Sequence, residues 1–205
     1  ANRETFRDAD MVRFHGIINR GGDAVSAVPS DVRLEWRVRA GSIEAVRENN
    51  AKLDRSFKAG ALAVGAQVKI TTIPGYFPIR NDQTLKGVFI RNAEAVVGEQ
   101  ALQVVSEDVN RGHSSDMGDL SYIMPTLGFN VGGVTGVGHG KDYVVEDWNN
   151  TVINTAKVYV AMIIDLMYGD AAAAKEVIAK SRPEMTRDQY LKFQREQASQ
   201  IDFDG

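Results

Sequence analysis

The stretch DVRLEWRVRA, Asp31 to Ala40, has the strictest alternation in the chain. Val32, Leu34, Trp36 and Val38 fall on one side, and Arg33, Glu35, Arg37 and Arg39 on the other. A period of two with one apolar and one charged side is a half-buried strand. Upstream, MVRFHGIINR alternates more loosely, with Val12, Phe14 and Ile17 expected to face inward, and GGDAVSAVPSD reads as the loop between two strands. Downstream, Ser42 is a good N-cap, with Glu44 and Glu48 near the positive end of a helix dipole. Apolar residues at Ile43, Val46, Leu53, Phe57 and Leu62 suit an amphipathic helix to about Ala63, with Gly65 as its stop. AQVKITTI is again strand-like. The first eighty residues thus read strand, strand, helix, strand. That order is an incomplete ferredoxin-like β-α-β-β-α-β unit, an α+β fold lacking its first strand and most of its first helix. Such a remnant leaves an open sheet edge, which needs a partner.

GYFPIRND breaks the pattern and reads as a hinge. A helix is expected from about Asp82 to Val97, then a short strand in ALQVVSED. A helix from about Asn150 to Gly169 is apolar over much of its circumference, which predicts burial. The tail is helix-prone, interrupted at Pro183, and IDFDG reads as a frayed end.

Composition narrows the class. A net charge of -3 over 205 residues argues against nucleic-acid binding, which favours a basic patch. The sequence has no cysteine, so it forms no disulfide and no thiolate zinc site. The apolar run VYVAMIIDLMY contains Asp165 and is too short to span a bilayer, and no signal peptide is visible. The chain starts at Ala1, which suggests a processed or truncated N-terminus.

The chemistry concentrates between Gly112 and Tyr143. A polar cluster of His113, Ser114, Ser115, Asp116 and Asp119 precedes the apolar run Tyr122 to Phe129. A glycine-dense loop follows, with His139 inside it. Glycines let backbone approach a ligand, and an accessible imidazole suits a metal. A turn carrying a surface histidine explains the same residues. Ser115 does not read as a nucleophile, because no histidine and acid stand at triad spacing.

Together HGIINRGGDAVSAVPSDVRLEWRVRA, GYFPIRND, SSDMGDLSYIMPT and the GHGKDY loop resemble the zinc-dependent aminoacylase and carboxypeptidase-type amidohydrolases. The branch is similar to aminobenzoyl-glutamate utilisation and hippurate hydrolase-like proteins. The resemblance runs from about Met11 to about Gly169. It implies a dimerisation lid over residues 1–78, incomplete at its N-terminus. Residues 79–205 would be the C-terminal part of an α/β metallohydrolase domain with a helical tail. It implies hydrolysis of amide bonds in N-acyl or aminobenzoyl amino acids or dipeptides, in the cytoplasm, with a divalent metal, zinc, as a pair of ions.

His139 matches the last metal ligand, ahead of the aromatic position held by Tyr143. Gly133 and Gly136 would offer backbone N–H groups to substrate or simply turn the chain. Ser26 stands where relatives carry a substrate-binding Asn, and serine has a shorter reach. His15 begins the lid's HG pair, either as a structural strand residue or reaching the active site. Ser114, Ser115 and Asp116 would cap and orient the following segment near the metal centre, and His113 stands where relatives have Gly. The family's His-x-Asp metal motif is absent: Gly-Ile, Ser-Ser and Gly-Lys follow the three histidines. No catalytic residue is therefore assigned, and the chain alone is expected to be an inactive piece. It would pair with a second copy or with a missing N-terminal portion. The competing expectations are a non-catalytic dimerisation module and an anion-binding α+β domain.

Overall fold

The computed structural model describes residues 5–105 and 115–205. They form two compact units. The first takes residues 5–78 together with Leu191–Gly205, and the second takes 79–105 with 115–190.

The first unit holds β1 (Arg13–Arg20), β2 (Arg33–Arg39), α1 (Ile43–Val64), β3 (Gln67–Thr72) and β6 (Ser199–Asp204). β1 and β2 pair antiparallel, with Phe14 opposite Val38, Gly16 opposite Trp36 and Ile18 opposite Leu34. Directly opposed residues share a face, so these six line one side of the hairpin. Ile17 lies opposite Glu35 on the charged side and is 63% exposed. The expectation that it faces inward fails because the register puts Phe14, Gly16 and Ile18, not Ile17, on the Trp36 side. Trp36 meets Phe57 of α1 edge-on at 5.9 Å. A Cβ at Gly16 would land in the Trp36 ring, so the indole lies flat across a strand position that only glycine leaves open.

α1 begins and ends as its sequence requires. The Ser42 hydroxyl accepts from the Ala45 N–H at 3.1 Å. Gly65 stops the helix at φ 64, donating to the carbonyls of Ala61 and Leu62. Ile43, Ala45, Leu53 and Ala61 form its buried stripe. Asn49 is fully buried on the same stripe, and its Nδ2 donates to the Ala45 carbonyl at 2.7 Å.

β3 pairs antiparallel with β6, not with the β1–β2 hairpin. Val68 lies opposite Phe203 and Ile70 opposite Ile201, and these are the half-buried positions of the two strands. The expected frayed end is therefore a full ladder partner. IDFDG carries its own period of two, with Ile201 and Phe203 turned inward. Lys58 of α1 sits 6.0 Å above the Phe203 ring. The tail is further anchored where Phe193 meets the buried Phe77 at 5.4 Å.

The second unit is built on α2 (Gln83–Val97) and α4 (Thr155–Lys180), with α3 (Met117–Ile123) and the short ladder of β4 (Val134–Thr135) and β5 (Val144–Val145). α5 (Arg187–Gln197) runs from this unit into the first. Asp82 caps α2, its Oδ1 accepting from the Leu85 N–H at 2.8 Å. The core is Val88, Ala93, Val158 and Met162, with Phe89, Leu127 and Leu166 packed on it. The run after α3 delivers Phe129, which stacks on Phe89 at 4.4 Å and meets Tyr159 at 5.5 Å. Asn92 ties the pair, donating from Nδ2 to Asp165 Oδ2 at 2.8 Å.

Two expectations differ here. The strand expected in ALQVVSED does not form in its described part, residues 101–105, where a 3-10 turn, Glu99–Ala101, ends and irregular chain follows. The helix expected to be buried is covered on one face only: Val160, Ile163 and Met167 are 56%, 59% and 64% exposed. A π-helical turn, Asn149–Asn154, precedes it, and left-handed φ values at Gly169, Asp170 and Ala171 break it.

Candidate functional site

His139 sits at the tip of the β4–β5 hairpin. Gly140 N–H donates to the Val137 carbonyl at 2.7 Å and Tyr143 N–H to the Gly140 carbonyl at 3.2 Å. The first bond closes a four-residue turn whose third residue is His139, at φ 66. A left-handed third residue is typical of turns that prefer glycine or asparagine there. Histidine tolerates that region better than most side chains. The imidazole is exposed, so it stands clear of the backbone and free to meet a ligand.

The hairpin is held by backbone that has no room for side chains. A Cβ on Gly136, at φ 85, would land on the Asp142 carbonyl. A Cβ on Gly133, at φ 97, would land on the Thr151 hydroxyl. The Gly133 carbonyl accepts from Glu146 N–H at 2.9 Å and Asp147 N–H at 3.0 Å. Thr151 Oγ1 donates to the Gly132 carbonyl at 2.9 Å. The chain's own packing therefore requires both glycines, whatever a substrate adds. The bracket formed by the backbone N–H of Asp147, just before the π-helical turn, and by Thr151 on that turn is a feature that sequence reasoning does not find. The only sequence signal for it is the spacing of two common polar residues.

The other candidates lie on the first unit. His15 is exposed on the charged face of β1, opposite Arg37. Ser26 lies in the β1–β2 loop. Arg20 crosses that loop, bonding Asp23 at 2.7 Å and Asp31 at 3.1 Å. Arg33 also grips Asp31, and its hydrogen bond chiefly holds that carboxyl below the ordinary carboxylate range. This lattice fixes the loop ends and leaves Ser26 exposed near its tip. The five site candidates thus divide, His15 and Ser26 on one unit and Gly133, Gly136 and His139 on the other.

Of the polar cluster, His113 and Ser114 lie outside the described residues. Asp116 precedes α3 but its side chain makes no cap. The helix opens instead on a backbone bond from Gly118 N–H to the Ser115 carbonyl at 2.9 Å. Capping by the Asp116 carboxylate is therefore not what the structure shows. A cleft of about 220 Å³ in the second unit, lined by Arg80, Asp82, Thr126, Lys180 and Arg182, contains none of the site candidates.

The described residues do not hold a metal on their own, since no group of three His, Asp or Glu among them is placed to ligate one.

Comparison of the sequence with known proteins finds similarity to two dipeptidases. The chain is 29% identical over 119 residues to the mouse (Mus musculus) protein named Xaa-Arg dipeptidase, covering 56% of this chain and 27% of that protein. It is 25% identical over 166 residues to the human (Homo sapiens) Xaa-Arg dipeptidase, covering 76% of this chain and 37% of that protein. The chain thus spans about a third of the length of these curated relatives. No family model matches it, and no solved structure matches it. The similarity is that of a distant dipeptidase relative, within the broad class of amidohydrolase-like enzymes that the sequence motifs resemble.

Proposed function

We propose that this chain is the C-terminal part of a metal-dependent hydrolase that cleaves an amide bond to an amino acid, in a dipeptide or an N-acyl or aminobenzoyl amino acid. The observation that carries the reading is an exposed His139 on a rigid glycine hairpin, within a chain similar to dipeptidases. An imidazole so presented is suited to a zinc-type ion. In this reading His139 supplies one ligand, and the remaining ligands and the general base lie outside the described residues. The resemblance gives His15 and Ser26 a substrate-contacting role, and the Asp147–Thr151 bracket supports the turn that carries His139. In this reading the protein works in the cytoplasm, paired with a second copy or with the N-terminal portion of the enzyme.

The test uses the gene product that carries this chain. Dipeptides ending in arginine, then aminobenzoyl-glutamate and N-acyl amino acids, are assayed with and without chelator. Turnover is expected to be chelator-sensitive, and His139→Ala is expected to lose both turnover and bound metal. Full turnover and full metal content in His139→Ala would overturn the proposal.

A second reading, an association module, is favoured by the hairpin's uncovered apolar end. Ile18 and Leu34 face the same side and are 70% and 46% exposed. Light scattering on Leu34→Glu tests it, and an unchanged oligomer would defeat it.

A further inference from the structure

The 220 Å³ cleft of the second unit shares no residue with the His139 hairpin. Its walls are the run before α2, the start of α2, α3 with the run after it, and the end of α4. Hydrogen bonds between these segments hold it in shape. Asp82 N–H donates to the Thr126 carbonyl at 2.9 Å, and Met185 N–H to the Tyr122 carbonyl at 3.1 Å. Arg80 N–H donates to the buried Ser121 hydroxyl at 3.1 Å, which itself donates to the Gly118 carbonyl at 2.6 Å. Gly128 N–H donates to Asn81 Oδ1 at 2.8 Å. A concavity whose walls are bonded in this way is preformed, so a ligand does not have to order it.

The lining is polar and mostly cationic: Arg80, Lys180 and Arg182 against one carboxylate, Asp82. Asp82 Oδ1 is taken up in capping α2. The start of that helix is therefore already answered and is not the attraction. Arg80 pairs with Glu184 at 2.6 Å and Lys180 with Glu176 at 2.5 Å. Both pairs are half exposed, and water weakens such pairs enough for an arriving anion to compete for either cation. The Arg80 guanidinium also stands 5.3 Å over the Tyr122 ring, which steadies it without using a donor. Arg182 is different, because no carboxylate pairs with it among the described residues. Its Nη1 donates to the carbonyls of Ala179 and Ser181 at 2.7 and 2.8 Å. Those bonds fix the guanidinium at the end of α4 and leave Nε and Nη2 as unused donors. A planar guanidinium with two free donors matches the paired oxygens of a carboxylate or a phosphate.

We propose that this cleft binds the carboxylate or phosphate group of a small anion, with Arg182 as its first contact and Arg80 and Lys180 completing the charge. A cleft of 220 Å³ is smaller than the roughly 300–1,000 Å³ of pockets that enclose a drug-sized ligand. It therefore seats one small anionic group. The site is independent of the His139 chemistry, and its test needs no turnover.

The experiment uses the gene product that carries this chain, treated with chelator so that no bound metal competes for the probe. Phenylglyoxal modifies arginine side chains, and peptide mass spectrometry reports the rate at each one. Inorganic phosphate and acetate are the probes, each compared with chloride at matched ionic strength. Expected is a saturable slowing at Arg182 and Arg80, while Arg187, 79% exposed and outside the cleft, is unchanged. Saturation by phosphate at the lower concentration assigns a phosphoryl ligand, and saturation by acetate at the lower concentration assigns a carboxylate. No slowing with either probe, equal slowing with chloride, or slowing that includes Arg187 would overturn the proposal. Arg182→Gln is expected to raise the half-saturating concentration read at Arg80 about tenfold. Glu184→Gln releases Arg80 and is expected to lower that concentration about threefold, a gain that a merely structural role would not give. Unchanged saturation in both variants would also overturn it. Should either variant not fold, labelling of the unaltered protein decides between the same outcomes.

Discussion

α1 and α4 are both long helices, yet they meet solvent differently. α1 has one apolar stripe, buried as Ile43, Ala45, Leu53 and Ala61, and a largely polar remainder, with Leu62, expected on the stripe, and Val64 exposed at its last turn. Both its ends are closed, by Ser42 and by Gly65. α4 has two apolar stripes and a neighbour for only one. The first helix is complete in its described surroundings, while the second carries an unanswered demand for burial. A helix that matches its surroundings identifies a self-sufficient element, and one that does not identifies a surface that needs something more.

That contrast can be broken from either side. The largest expected effect is in the first unit. Gly16→Ala places a methyl where the Trp36 ring lies and should cost about 1–3 kcal/mol, as overpacking does. The measurement is amide exchange, with faster exchange in β1, β2 and α1 and with α2 and α4 as the internal control. Equal loss in α2 and α4 would show that the two regions are not separable.

Next is Asn92→Ala in the second unit. It removes the donor to Asp165 and a bond to the Val88 carbonyl at 2.9 Å, and should cost about 1–3 kcal/mol. Chemical denaturation checks the size, and exchange should rise in α2 and α4 first. A smaller effect is expected from Ser42→Ala, which leaves the Ala45 N–H without its cap and should cost about 1 kcal/mol. Retained stability would mean that tertiary contacts alone hold the start of α1.

The smallest effect depends on pH. Burial pushes the Asp54 carboxyl on α1 upward, with Lys58 opposing. A carboxyl whose folded value is raised favours the fold when protonated and loses that contribution as pH rises through its folded value. Asp54→Asn should therefore be slightly more stable than the parent at neutral pH. The gain should vanish in acid below the ordinary carboxylate range. Thermal melts at several pH values measure it, and a gain that grows on acidification would contradict the sign.

Local order was legible because it depends on neighbours in sequence. The alternation of Asp31 to Ala40, the Ser42 cap, the Gly65 stop and the break at Gly169 all follow from side-chain period and backbone preference. The glycine hairpin around His139 was legible as a turn bearing an accessible imidazole. A metal role for His139 was not, because the ligands of a metal converge from distant parts of a chain.

The tertiary structure alone decided the pairing of β3 with β6, Ser199–Asp204, since alternation specifies a face but never a partner. It decided that Ile18 rather than Ile17 shares a face with Trp36, because cross-strand register is a long-range property. It also decided that Asp147 and Thr151 brace the hairpin, through contacts between residues with no sequence signature. Finally, it decided that one face of α4 stays open: a period of 3.6 states which residues seek burial, while only packing shows whether anything covers them.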